Sequence, residues 1–126
     1  MTALRIDLVR VQDVLDDAGP GAGERRVLVD RLWPRGVKKE RLRYDDWDKD
    51  AAPSSELRTA FHSGELDFED FARHYRRELE DSGAARALHE RILEAGAERV
   101  VLLYAASDTE HNHALVLRDA LVDLEG

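Results

Sequence analysis

The sequence predicts an α/β domain with a small, largely parallel sheet and helices packed on both faces. Short apolar runs of strand length alternate with longer segments in which apolar residues recur at helical spacing. One run, "RVVLLYAA" near residue 100, is almost wholly apolar, as in strands that are central in parallel sheets and buried on both faces. At 126 residues and 43% hydrophobic composition, the chain is predicted to form one domain around a single core.

Two strands are predicted before the central one, and a short one between them and the helices. Residues 4–11 alternate apolar and charged side chains, which is typical of a strand near a sheet edge. Residues 16–24 are turn formers without periodicity and predict a flexible loop. The β-branched run at residues 27–29 predicts the second strand. The segment around Trp47 predicts the short third strand.

Helical signals occupy the middle and the end of the chain. Pro53 and Ser54 open a short predicted helix, and Asp67 is the predicted N-cap of the clearest amphipathic helix. Gly83 interrupts that helix, and a further helix ends at Gly96. The last helix follows the central strand. The apolar stripes of these helices predict the core, namely Leu57, Ala60, Phe61, Phe68, Phe71, Ala72, Tyr75, Leu79, Ala84, Ala85, Leu88, Ile92, Ala95, Ala114, Leu117, Ala120, Leu121 and Leu124.

Composition excludes several classes of function. The absence of cysteine excludes disulfides, thiolate metal sites and cysteine nucleophiles. A net charge of -8 argues against general nucleic-acid binding, which needs a broad basic surface. No apolar run approaches the length of a membrane span, and the N-terminal segment lacks a signal-peptide core. We therefore expect a cytoplasmic protein without membrane partners, and a homodimer is left open.

Two polar segments are placed where ligands bind in parallel sheets, beyond the carboxyl ends of the strands. "RLWPRGVKK" follows the second strand, and "SDTEHNH" follows the central strand at the start of the last helix. Cations of the first segment are expected to face the amide groups at that helix N-terminus, which would form an anion site. The predicted ligand-binding residues are Arg31, Trp33, Arg35, Lys39, Tyr104, Asn112 and His113.

The same residues also have structural interpretations. The cations could pair with the acidic segment "DDWDKD", and Trp33 could be a core plug that stiffens its loop. Asp108, Thr109 or Asn112 could cap the last helix. The histidines of "HNH" lack the spacing of an established metal motif, so no metal site is predicted.

Two classes of function fit the predicted site. The favoured one is binding or sensing of an anionic, aromatic small molecule, either nucleotide-like or a haem. The alternative is a hydrolase or glycosidase in which Asp30 or Asp108 is the acid or base, His113 carries the proton, and Arg31 and Arg35 clamp the anion. Binding is favoured because the sequence contains no serine nucleophile elbow, phosphate loop or dinucleotide fingerprint. The candidate axial ligands for haem are His62, His74, Tyr75, His89 and His113.

Three blocks of sequence carry a resemblance to a known family. They are "RVLVDRLWPRGVKKERLRYDDWDKDAAPSSELRTAFH", "FARHYRREL" and "LLYAASDTEHNHALVL". In this order and separation they resemble the YeaO-like family, domain of unknown function 488, over residues 25–121 of a single domain at residues 1–126. The family has no generally established activity, so the resemblance implies no reaction. Its members often have a lysine at the position of Ser107, which leaves this chain one cation short. The resemblance implies hallmark positions at Asp30, Arg31, Leu32, Trp33, Pro34, Arg35, Gly36, Lys39, Trp47, Pro53, Ser54, Leu57, Arg58, Phe61, Tyr75, Tyr104, Asn112 and His113.

Overall fold

A four-stranded parallel sheet organises residues 4–125, the part of the chain that the computed structural model describes. Its strands are β1 (Arg5–Arg10), β2 (Glu24–Leu28), β3 (Asp46–Trp47) and β4 (Arg99–Tyr104). They lie in the order β1-β4-β2-β3, and every pair is parallel. The predicted α/β class and parallel sheet are thus confirmed. The apolar run predicted as the central strand is β4, which is flanked by β1 and β2.

Four α-helices complete the regular structure of residues 4–125. They are α1 (Ser55–His62), α2 (Phe68–Ser82), α3 (Ala84–Glu94) and α4 (His113–Glu125). Ser54 accepts a hydrogen bond from the Leu57 amide and Asp67 accepts one from the Asp70 amide, as expected of N-caps. Gly83 has a φ of +72°, which favours glycine, and it separates α2 from α3. No helix among residues 4–125 is both long enough and apolar enough to cross a membrane.

The two faces of the sheet are covered differently. On one face, here called the helical face, β-strand residues such as Val27 and Leu102 pack against buried residues of all four α-helices. On the other, the loop face, Leu28, Val101 and Leu103 pack against apolar side chains of the segments that connect the strands. We expected helices on both faces. Instead, the loop face is covered by loops and by short 3-10 turns at Val11–Asp13 and Lys39–Arg41.

The strand order explains this asymmetry. The connections from β1 to β2 and from β2 to β3 step across the sheet in one direction, and the connection from β3 to β4 steps back. Because crossovers between parallel strands are right-handed, the two directions lie on opposite faces. Only the returning connection contains α-helices. The other two are rich in turn formers, including Pro34 and Gly36, so they form turns and loops.

An ion network ties the predicted loop at residues 16–24 to the loop face. Arg26 is only 8% exposed. Its Nη1 and Nη2 donate to the two carboxylate oxygens of Asp17 at 3.0 and 2.9 Å, and its Nε donates to Glu24 at 2.8 Å. The Arg26 hydrogen bond lowers the pKa of Asp17, which keeps that carboxyl ionised. This segment is therefore anchored at Asp17.

Candidate functional site

A cavity of about 750 Å³ opens beyond the carboxyl ends of β2 and β4. Its volume is within the range of about 300–1,000 Å³ that is usual for small-molecule sites. The segment after β2 (residues 30–35) and the segment after β4 (residues 105–108) form part of its wall, and residues 111–113 continue it to the start of α4. The structure therefore brings together the two polar segments that the sequence predicted to meet. Residues 52–53, α1 and Phe71 of α2 close the opposite side.

Three arginines line this cavity. The Arg31 guanidinium donates to two backbone oxygens, from Nε to Pro53 at 2.9 Å and from Nη2 to Ala52 at 3.3 Å. Neither Arg35 nor Arg58 takes part in an ion pair within residues 4–125. The Nε of Arg58 is buried and has no hydrogen-bond partner there. The cavity thus contains cations that no carboxylate of the described chain neutralises by direct contact.

Aromatic rings form the apolar part of the wall. Phe61 of α1 and Phe71 of α2 are stacked, with ring centroids 4.4 Å apart and an interplanar angle of 21°. Pro34 is buried at the cavity margin. The cavity therefore offers both cations and a flat apolar surface.

Asp30 and His113 form a pair in the cavity wall, and each side chain is 15% exposed. Asp30 Oδ2 accepts a hydrogen bond from the Ala105 amide at 3.1 Å, and Oδ1 lies 3.1 Å from His113 Nε2. The same Nε2 is 3.0 Å from the Val29 carbonyl oxygen. Because a carbonyl oxygen can only accept, Nε2 carries a hydrogen. The pair joins the end of β2, the end of β4 and the start of α4.

Asp108 and Asn112 shape the loop before α4. Asp108 Oδ1 accepts from the amides of Glu110 and His111 at 2.9 and 3.0 Å, and these bonds lower the pKa of the carboxyl. Asn112 Oδ1 accepts from the Leu115 amide at 3.1 Å, and its Nδ2 donates to the Asp108 carbonyl oxygen at 2.9 Å. Both residues line the cavity while they fix the helix start, which is the structural role foreseen for them.

Two residues predicted to bind the ligand lie outside the cavity wall. Lys39 is exposed on the loop face, with its Nζ 5.6 Å from the centroid of the Trp33 ring. The turn at Pro34 and Gly36 directs the chain there before it reaches Lys39. Tyr104 points to the helical face, as expected for alternation in a strand, and burial raises the pKa of its phenol. The sequence prediction for these two positions therefore does not match their placement.

Only two of the five candidate haem ligands, His62 and His113, line the cavity. Tyr75 is fully buried, its hydroxyl donates to the Ala51 carbonyl oxygen, and burial raises the pKa of the phenol. His89 pairs with Glu125 at the far end of α4, and His74 is exposed on α2. Within residues 4–125, no group of three or more side chains is arranged to hold a metal ion.

Trp33 contributes both to the core and to the cavity. It is half-buried, its Nε1 donates to the Val37 carbonyl oxygen at 2.6 Å, and its ring packs edge-on against Trp47 with centroids 5.5 Å apart. The ring also packs against Tyr44 at 5.7 Å. Part of the residue still lines the cavity. The indole therefore links the loop face to the site.

Replacing Trp33 with alanine should lower the free energy of unfolding by about 2–3 kcal/mol. A fully buried tryptophan costs about 3–5 kcal/mol on truncation, and Trp33 keeps part of its surface in solvent. Urea denaturation measures the loss, and Leu32→Ala is the matched control because the neighbouring Leu32 is 60% exposed and should change little. Equal, small losses in both variants would contradict the packing described for the indole.

Arg58 is the charged side chain among several cavity residues that the prediction of ligand-binding residues missed; Phe61, Phe71 and His111 are others. The resemblance includes Arg58 among its hallmark positions but gives it no role. A local signal existed, since Arg58, Phe61 and His62 recur at helical spacing and all three line the cavity. An arginine on a short helix is usually solvated, so the spacing alone did not distinguish it.

Comparisons with known proteins place the whole domain in one family. A family model described as "Inactive DUF488-N3 subclade" matches residues 5–125. The chain is 44% identical over 121 residues to the uncharacterized protein YeaO of Escherichia coli, covering 92% of this chain and 98% of that protein. It is 41% identical over 113 residues to uncharacterized proteins of Mycobacterium bovis and Mycobacterium tuberculosis, covering 90% of this chain and 92% of each. No solved structure matches it significantly. The resemblance seen in the sequence is therefore confirmed, and the chain belongs to the DUF488 family, in the subclade described as inactive DUF488-N3.

Proposed function

We propose that this domain binds an anionic, aromatic small molecule of a nucleotide-like kind in the cavity at the strand ends. The main support for this proposal is the environment of Arg58. Its Nε is buried and has no hydrogen-bond partner within the described chain. A buried polar group usually has a partner, because leaving it unpaired costs about 1–3 kcal/mol. An anion that reaches the guanidinium would supply the missing interaction.

The surroundings of Arg58 support the same ligand class. Arg35 also lacks an ion pair within the described residues. The Nε and Nη2 of Arg31 donate only to backbone oxygens. In a chain with 27 acidic and 19 basic residues, carboxylate partners for these arginines are abundant elsewhere. The stacked rings of Phe61 and Phe71 border the same cavity and suit a flat aromatic group.

Binding is favoured over hydrolysis. The hydrolase or glycosidase alternative finds its best support in the Asp30–His113 pair, which has the geometry of a carboxylate that orients a histidine. Asp108, the other candidate acid, has a lowered pKa because it accepts backbone hydrogen bonds, which makes it a poor proton donor. The matching family model is also described as that of an inactive subclade.

A nucleotide-like ligand is favoured over haem. Haem iron needs an axial ligand, and His74, Tyr75 and His89 lie away from the cavity wall. His113 Nε2 already faces the Val29 carbonyl oxygen and Asp30. The axial candidates that remain are His113 through its Nδ1 and His62, which is exposed at the cavity margin with both ring nitrogens free of hydrogen bonds within the described chain. The arginines and stacked phenylalanines suit a phosphate joined to a base without further rearrangement.

AMP is a suitable test ligand because it joins a phosphate to an aromatic base. We expect saturable AMP binding by calorimetry, and native mass spectrometry of the protein purified from cells should show a bound small molecule. Arg58→Ala should weaken AMP binding by about 1.5–3 kcal/mol, the usual value of a charge-assisted hydrogen bond. Arg77→Ala is the matched control, because Arg77 is exposed on α2 outside the cavity wall.

Two results would contradict binding of AMP in this cavity. Arg77→Ala should bind AMP as the unmodified protein does. Binding of AMP that is equally strong in Arg58→Ala would show that the ligand lies elsewhere. The absence of both a copurified small molecule and AMP binding would overturn the proposed function.

A further inference from the structure

We propose that the anionic group of the ligand is a dianion and that its binding is coupled to protonation of His113. The inference rests on the proposed function, because it concerns the anion held in the same cavity. It names the charge of that anion and a condition for its binding.

The charge of the cavity wall points to a dianion when His113 is protonated. Three arginines and two aspartates line the cavity, which leaves one unbalanced positive charge while the histidines are neutral. A proton on His113 raises this to two. A phosphomonoester or a sulfate-like group would then be balanced, whereas a carboxylate would leave one positive charge uncompensated. Charges in a partly enclosed cavity are screened less than those on an open surface, so this balance affects affinity.

The His113 ring is oriented so that its second nitrogen can take the proton. Nε2 already carries a hydrogen, because it lies 3.0 Å from the Val29 carbonyl oxygen, which can only accept. Nδ1 therefore carries the lone pair in the neutral ring. Nδ1 makes no hydrogen bond within the described chain. If it were also fully buried, it would be one of the buried atoms without a partner there, and it is not. Nδ1 is therefore not fully buried, and it belongs to a ring that lines the cavity.

Asp30 supplies the counter-charge for a protonated ring. Its Oδ1 is buried, has no well-aligned hydrogen bond, and lies 3.1 Å from His113 Nε2. A neutral His113 leaves this carboxylate oxygen poorly compensated. A protonated His113 would lie between the Asp30 carboxylate and a bound anion, and would donate from Nδ1 to that anion. The carboxylate and the ligand would thus stabilise the same proton.

The remaining charged groups around His113 determine when the proton is taken up. The arginines of the wall oppose a further positive charge in the empty cavity, and a bound dianion reverses that effect. Affinity for the dianion should therefore fall as the pH rises and His113 loses its proton. Apart from Asp30, the titratable and charged groups around His113 are Tyr75, whose ring centroid lies 6.4 Å from that of His113, and the residues that share its cavity, namely Arg31, Arg35, Arg58, His62, Asp108 and His111.

Sulfate tests the proposal, because it stays a dianion across the pH range and cannot itself take up the proton. Calorimetry of sulfate binding in two buffers of different ionisation enthalpy counts the protons taken up. At neutral to mildly alkaline pH we expect net proton uptake when sulfate binds, and a loss of affinity of up to about tenfold per further pH unit. Acetate should bind more weakly and take up fewer protons.

Two histidine variants separate this proposal from a general effect of charge. His113→Gln should abolish the proton uptake. His111→Gln should preserve it, since His111 lines the same cavity but is exposed and paired with Asp108. In the unmodified protein, the imidazole NMR signals of His113 should move to those of the protonated ring when sulfate is added. This measurement decides the question even if His113→Gln fails to fold.

The contrary outcomes also distinguish the two proposals. Sulfate binding without proton uptake, or uptake that survives His113→Gln, would overturn the proton coupling. If Arg58→Ala still weakened AMP binding in that case, the proposed function would stand. Acetate binding as tight as sulfate binding would overturn the dianion. If neither sulfate nor AMP bound, both proposals would fail together.

Discussion

Replacing Arg26 with alanine should lower the free energy of unfolding by about 3–5 kcal/mol. Arg26 is almost fully buried, and it binds Asp17 through two hydrogen bonds and Glu24 through a third. Its removal would leave Asp17 without its cation and Glu24 with Arg99 as its remaining cation. The removal of one partner from a buried ion network usually costs this much. Asp17 would also lose the side-chain contact that anchors the middle of this segment, while backbone hydrogen bonds at Asp16 and Gly23 would still hold its two ends.

Urea denaturation at neutral pH measures this loss, and Arg41→Ala is a matched control. Arg41 pairs with Asp16 at 2.7 Å in the same region, but the two side chains are 46% and 59% exposed. Solvent screens an exposed pair, so Arg41→Ala should change stability little. Equal effects of the two substitutions would show that burial of Arg26 does not determine the contribution of its ion pairs.

The Arg26 network should also appear in the pH dependence of stability. The hydrogen bond from Arg26 lowers the pKa of Asp17 in the folded state below its ordinary value of 3.8. A lowered folded pKa stabilises the protein above the unfolded pKa, and the contribution is lost as the pH falls through the folded pKa. Arg26→Ala should therefore weaken the acid dependence of the unfolding free energy below about pH 4.

Replacing Tyr75 with alanine should also cost about 3–5 kcal/mol, the usual cost of truncating a buried aromatic side chain. Tyr75 is fully buried on α2 and packs against Phe71, with ring centroids 5.7 Å apart. Its hydroxyl donates to the Ala51 carbonyl oxygen. The next two carbonyl groups along the chain, those of Ala52 and Pro53, accept the hydrogen bonds of Arg31. Tyr75 thus supports the segment that positions an arginine of the cavity.

Tyr75→Phe separates packing from hydrogen bonding. It retains the ring but removes the donor to the Ala51 oxygen, which should cost about 1–3 kcal/mol. Thermal and urea denaturation of the two variants measure both contributions. A loss below about 1 kcal/mol for Tyr75→Ala would contradict the position of this ring in the core. A Tyr75→Phe protein as unstable as Tyr75→Ala would assign the whole effect to the hydroxyl.

Local sequence patterns were sufficient to predict the strands and helices. The apolar run became β4, and Asp67 and Gly83 delimit α2 where the pattern placed them. The arrangement of layers could not be predicted in the same way. It depends on the strand order, in which β4 lies between β1 and β2, and no local pattern encodes that order. The expectation of helices on both faces therefore failed on the loop face.

Part of the site could also be predicted from the sequence. Parallel strands place their carboxyl ends at one edge, so the meeting of Arg31 and Arg35 with the segment before α4 could be foreseen. Tyr104 could not be placed by this rule, because strand alternation directs it to the core. The contact between Asp30 and His113 joins distant parts of the chain, and only the folded topology brings them together.

The adjacency of β1 and β4 has a consequence for synthesis on the ribosome. Arg5 pairs with Arg99, so the first strand of the sheet finds its neighbour only after most of the chain has been translated. At about 5–20 residues per second, β1 waits for roughly 5 to 20 seconds. During that time its apolar side chains have no sheet to join, and the β1–β4 pairs are contacts of high sequence separation, which slow folding. Correct folding of the sheet therefore requires that β1 does not pair with another strand before β4 has been synthesised.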